Sequence, residues 1–104
     1  MDSIRRTRER NLVDIVKRGI DGDDAMLLQC ISHRLNQLDE NACNYGLTPR
    51  QEKRVDTLEK QAETIAHKYY LSGYHQSDPR GWSLYLIQPG TWDNYDRGLA
   101  ICPH

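Results

Sequence analysis

Two apolar seams of the same spacing, joined by a short connector, constrain this chain more than anything else in it. Leu28, Ile31, Leu35, Leu38 and Ala42 recur at alternating intervals of three and four, and so do Val55, Leu58, Ala62, Ile65 and Tyr69. That rhythm keeps each set on one side of an α-helix. Between the seams, Asn44-Tyr45-Gly46-Leu47 reads as a turn and Thr48-Pro49-Arg50-Gln51 as a helix start. Thr48 caps, Pro49 brings a φ that is already helical, and Gln51 reaches back to complete a capping box. Two amphipathic helices so closely joined fold back on each other, so an antiparallel αα-hairpin is predicted over residues 24–71. Its first helix is expected from about Asp24 to near Asn41, capped by Asp23 or Asp24, whose carboxylates suit the positive end of the helix dipole.

A separate helix is predicted over residues 3–18, within a basic N-terminal segment 1–20 that ends at Gly19-Ile20-Asp21-Gly22. Ile4, Leu12, Ile15 and Val16 lie roughly on one stripe, with Arg5, Arg6, Arg8, Arg10 and Lys17 opposite. The net charge of −1 hides a segregation: residues 1–20 hold six basic and three acidic side chains, residues 21–48 one and five. A chain that is not globally basic meets nucleic acid only locally, and Arg5, Arg6, Arg8 and Arg10 are the candidates for such a contact. The ordinary reading of such a charge run is a solvated helix face.

After Ser72-Gly73 the pattern changes to strands. Asp78-Pro79-Arg80-Gly81 is a turn: Asp accepts backbone N–H bonds, Pro presets φ, and Gly tolerates the positive φ of a bulge. In that register His75 faces Tyr85 and Tyr74 faces Leu86. Leu84 and Leu86 then point to the core, while Tyr85 and Ile87 share the more polar outer face with His75. Pro89-Gly90 breaks the second strand. Leu99 to Cys102 forms a short third one beside it, stopped by Pro103. The fold class is therefore α+β: an N-terminal helix, an antiparallel αα-hairpin and a small two- to three-stranded antiparallel sheet over 73–102, in one domain spanning 1–104.

With 104 residues, 38% hydrophobic, 28% charged and no Phe, the core is small or is completed by a partner. No apolar run approaches the roughly 20 residues that span a bilayer. The charged MDSIRRTRER start lacks a secretion signal. A cytoplasmic protein with reduced thiols, no membrane association and no disulfide framework is expected, since the three cysteines include no CxxC pair.

Standard catalytic signatures are absent: there is no phosphate loop, GxGxxG, GxSxG or HExxH. Zinc held by Cys30, His33, Cys102 and His104 requires His33 to turn toward Cys30 and the chain end to reach that helix. Cys30 and Cys102 read more simply as small buried residues. Cys43 with His67 or His75 shows no sign of a nucleophile–base pair. No metal, cofactor or catalytic residue is assigned. His75, Tyr85 and Arg80 form the one candidate acid–base and anion-binding cluster, against a plain cross-strand pair and a solvated turn residue. Trp92, Tyr95 and Arg97, with Arg80, are of the types enriched in binding hot spots or in stacking on bases.

The run Gly73-Tyr74-His75-Gln76-Ser77-Asp78-Pro79-Arg80-Gly81, then Leu84-Tyr85-Leu86-Ile87, Tyr95 and Arg97-Gly98-Leu99-Ala100, resembles a group of small uncharacterised proteins encoded by bacteriophages and prophages. Those proteins share a tract like YHQxDPRGxxLYLI, a Pro-Gly loop and a Tyr-x-Arg-Gly ending. The likeness covers roughly residues 28–102. Ser77 and Trp82 depart from it. The resemblance implies a phage context in the host cytoplasm and no mechanism. With the missing catalytic motifs it leads to one expectation: an accessory protein that binds a host protein or complex through Arg80, His75, Tyr85, Trp92, Tyr95 and Arg97. Inhibition of a bacterial defence system is one version. A nucleic-acid-binding module is the alternative, and homodimerisation through the amphipathic helices is compatible with both.

Overall fold

A computed structural model describes residues 2–75, 84–88 and 98–103, with the backbone alone described at Asp2, Tyr74 and His75. Three helices precede three strands: α1 (Asp2–Lys17), α2 (Gly22–Tyr45), α3 (Pro49–His67), β1 (Ser72–His75), β2 (Leu84–Ile87) and β3 (Leu99–Ile101). This is the α+β architecture that the sequence pattern predicts. The turn at Asp78–Gly81 lies outside the described residues.

Helix ends follow local chemistry. The capping box at Thr48 forms in full: Thr48 Oγ1 accepts from the Gln51 N–H at 3.2 Å, and the Thr48 N–H donates to Gln51 Oε1 at 2.9 Å. At α2 the cap is Asp21, not Asp23 or Asp24: its carboxylate accepts from the Asp23 N–H at 3.2 Å. Gly19, at φ 93°, ends the first helix so abruptly that Asp21 is already positioned to open the next. The same helix runs past the expected Asn41 to Tyr45, because nothing disfavours helix before Gly46 adopts φ 75° and donates to the Ala42 carbonyl. The third helix closes earlier than the expected Ser72-Gly73. Tyr70 donates to the His67 carbonyl and Leu71 to that of Ala66, the two bonds of a Schellman end, with Tyr70 at φ 61° in the seat glycine usually fills.

The sheet is antiparallel in the order β1-β2-β3, with α3 over β1, α1 over β3, and α2 between the other two helices. The core lies between the layers. Leu28, Leu35, Ala62, Leu84, Leu86 and Ile101 are among its most buried members. Both predicted seams contribute to it, although Leu38, Val55 and Tyr69 are only partly covered.

The β1–β2 register corrects the predicted one by a single residue. Gly73 pairs with Leu86, Tyr74 with Tyr85, and His75 with Leu84. The physical reason is visible at Gly73. A Cβ there would lie 3.4 Å from the Glu63 nitrogen, so β1 runs against the α3 backbone at the one residue lacking a side chain. Gly73 therefore shares the helix-facing side with Leu86, and the two tyrosines fall opposite each other. The burial of β2 also departs from simple alternation: Tyr85 and Ile87 are buried along with Leu84 and Leu86.

Candidate interaction surface

The residues singled out from sequence do not converge on one site among the described residues. Arg80, Trp92, Tyr95 and Arg97 lie outside them. His75 is opposite Leu84 instead of Tyr85, and Tyr85 retains 7% of its exposure, so the outer-face His75–Tyr85 pair is not formed. Tyr85 belongs to the packed centre of the sheet.

The arginines of α1 divide. Arg5 bonds Glu9 at 3.2 Å in an exposed pair of the kind that contributes little stability. Arg8 is exposed but turned toward α2: its guanidinium donates to Gln29 Oε1 at 3.4 Å, and its carbonyl accepts from Gln29 Nε2 at 2.9 Å. The spacing explains this, since Arg8, Asn11 and Ile15 step by three and four along the buried stripe. Arg6 and Arg10 stay exposed with Lys17, without a carboxylate partner among the described residues.

A buried polar network fastens α1 and α2 to the last strand. Asn11 Nδ2 donates to the Ala100 carbonyl at 2.6 Å, and the Cys102 N–H donates to Asn11 Oδ1 at 2.8 Å. Gln29 Nε2 also donates to Asn11 Oδ1, and Ser32 donates to the Ile101 carbonyl. His33 Nδ1 lies 2.9 Å from the Pro103 carbonyl. Backbone groups of four consecutive residues are thus met by side chains from two helices, as buried polar groups require. Sequence reasoning missed these residues, although a polar Asn11 on the Ile15 stripe was the available signal.

A second polar cluster joins the α1–α2 turn to the end of α3. Tyr69 donates to Asp24 Oδ2 at 2.5 Å and accepts from the Asp21 N–H at 3.1 Å, and Lys68 lies 3.5 Å from Asp24 Oδ1. The Tyr69 bond, helped by Lys68 and opposed by desolvation, holds the Asp24 carboxyl below its ordinary value. The same bond raises the Tyr69 phenol.

The thiols are all free, and Cys30 is exposed where a buried residue is expected. Only Cys102 is buried. Cys30 faces Arg8, whose Nη2 is 4.0 Å from Sγ, while His33 turns to Pro103. No three His, Cys, Asp or Glu side chains gather as a metal site among the described residues.

The described surface offers half-exposed apolar side chains on the first two helices. Val13, Val16, Met26 and Leu27 each keep about half of their exposure (52%, 46%, 54% and 50%). Because Arg8 meets Cys30 across the α1–α2 hairpin, the four-residue steps Arg8-Leu12-Val16 and Cys30-Met26-Gly22 run side by side. On the far side of α2, Leu27 and Ile65 line an open groove of about 440 Å³ with Thr57, Lys60, Gln61 and Thr64. Two further depressions follow one helix each: Arg6, Glu9, Arg10, Val13, Asp14 and Lys17 along α1, and Asp56, Glu59, Lys60, Glu63, Thr64 and His67 along α3. These are surfaces suited to contact with a macromolecule, not enclosures for a small substrate.

No helix among the described residues is long and apolar enough to cross a membrane. No protein family, no curated protein and no solved structure matches the chain.

Proposed function

We propose that this chain is a non-enzymatic, phage-encoded accessory protein that binds and modulates a host macromolecule, with inhibition of a bacterial defence complex as the concrete version. The observation that carries the binding role is the half-exposed state of four apolar side chains on the first two helices, Val13, Val16, Met26 and Leu27. The phage context rests on the YHQxDPRGxxLYLI-like tract. The test is capture from host lysate by the immobilised chain, identification of the partner, and repetition with purified components. V16D/M26D should abolish the interaction while circular dichroism stays unchanged. Binding unaltered by that variant moves the site elsewhere, and no reproducible partner ends the proposal.

The alternative, a nucleic-acid contact, narrows to Arg6, Arg10 and Lys17, since Arg8 is engaged with Gln29. About three phosphate contacts imply a log–log salt slope near −3, and R6A/R10A should remove roughly two units of it. Absence of binding to duplex and single-stranded probes at low salt removes this reading.

A further inference from the structure

The outward rows of α1 and α3 match in spacing and oppose in charge. On α1, Arg6, Arg10, Val13 and Lys17 follow at steps of four, three and four; on α3, Glu52, Asp56, Glu59 and Glu63 follow at the same steps. Each row spans eleven residue steps, about 16 Å of helix. Steps of four and three are those of a seam between two helices. The α1 row is exposed throughout, and the α3 row is exposed or half-exposed. The borders are reversed in sign: Glu9 and Asp14 flank the cationic row, and Lys53 and Lys60 flank the anionic one.

The two rows cannot meet within one molecule, because α2 separates α1 from α3 and the two helices lie over opposite edges of the sheet. We infer that the α1 row of one copy docks on the α3 row of a second copy, in a head-to-tail contact between identical chains. Laid along each other, the seams place three cations against carboxylates and Val13 against the aliphatic stem of a fourth acidic residue. The exposed Glu63–His67 pair, at 3.4 Å, is solvated and readily exchanged for a cation from the neighbour. A contact of this kind is heterologous: the pair leaves one cationic and one anionic row open to further copies, so association continues past the dimer as concentration rises. Being electrostatic at the surface, it weakens with salt.

Sedimentation velocity on nucleic-acid-free protein at about 0.1 mM decides the matter. At about 50 mM salt the weight-average sedimentation coefficient should rise with concentration, and at about 500 mM it should fall to the monomer value. R6E/R10E and E52R/D56R, each alone, should weaken association roughly tenfold or more, since the first makes both rows net anionic and the second neutralises the anionic one. Mixing the two variants should restore it, because the unaltered α3 row of the first meets the unaltered α1 row of the second. A concentration-independent monomer at low salt overturns the proposal. So does association that survives high salt or R6E/R10E, which would belong to the half-exposed apolar side chains, and so does failure of the mixture to associate.

Discussion

Asn11 and Cys102, 91 positions apart, meet through a 2.8 Å hydrogen bond in which the Cys102 N–H donates to the Asn11 carboxamide oxygen. The amide nitrogen of the same side chain donates to the Ala100 carbonyl. One residue of the first helix thus satisfies an acceptor within the last strand and a donor just past it, at an edge where the described residues supply no further strand.

Truncating this residue leaves both backbone groups unpaired in a buried place. Asn11→Ala should destabilise the fold by about 2–4 kcal/mol, read as a lowered urea midpoint at constant slope. Asn11→Asp should cost at least as much near neutral pH, because a carboxylate cannot donate to the Ala100 carbonyl. Part of that loss should return as the pH falls and the new carboxyl is protonated.

The Tyr69–Asp24 bond gives stability a pH signature with two edges. Asp24 is depressed below its ordinary 3.8, so its contribution is present above that value and is lost as pH falls through the lower folded value. Tyr69 is raised above its ordinary 10.0, so its contribution is present below 10.0 and is lost as pH rises through the higher folded value. Tyr69→Phe should lower the melting temperature at pH 7 and shrink the loss of stability at both extremes. Unchanged acid and alkaline limbs in that variant would show the bond to be energetically idle.

Tyr70 occupies a left-handed backbone conformation at φ 61° with 89% of its surface exposed. Its ring therefore gains little from burial, while its Cβ meets the carbonyl crowding that glycine avoids. Tyr70→Gly should stabilise the protein by roughly 1 kcal/mol, after the larger entropy of unfolded glycine is subtracted. Tyr70→Ala, which keeps the Cβ, should not. Melting curves of the three proteins separate these outcomes.

The legible parts of this molecule are those in which local chemistry and burial agree. The seams of α2 and α3, the capping box at Thr48 and the placement of β3 beside β2 all follow from spacing and side-chain type. The hairpin register was not legible, since it is set by the approach of Gly73 to α3, a contact between segments that only the assembled fold defines. Arg8 and Asn11 were obscured for a related reason. Polar residues on a buried stripe look like solvated ones until the strand they bond is known. Of the candidate contacts, Tyr85 is consumed by packing. The half-exposed Val13, Val16, Met26 and Leu27 emerge only once the folded chain shows which apolar residues stay uncovered.

Gly73 offers the sharpest test of what sets that register. A methyl group added there would sit 3.4 Å from the Glu63 nitrogen, 3.5 Å from the Ala62 carbonyl carbon and 3.6 Å from Glu63 Cα. Those are contacts that a strand shift of a few tenths of an ångström accommodates. Alanine also reduces the freedom of the unfolded chain, so Gly73→Ala should stay within about 1 kcal/mol of the parent. A larger side chain has only helix backbone to push against. Gly73→Leu should therefore lift β1 from α3 and cost about 1–3 kcal/mol. Amide exchange locates the damage: protection at Gly73 and Leu86 should fall while that of the α2 amides holds. If leucine is tolerated as well as alanine, the close approach of β1 to α3 is not what places Tyr74 opposite Tyr85.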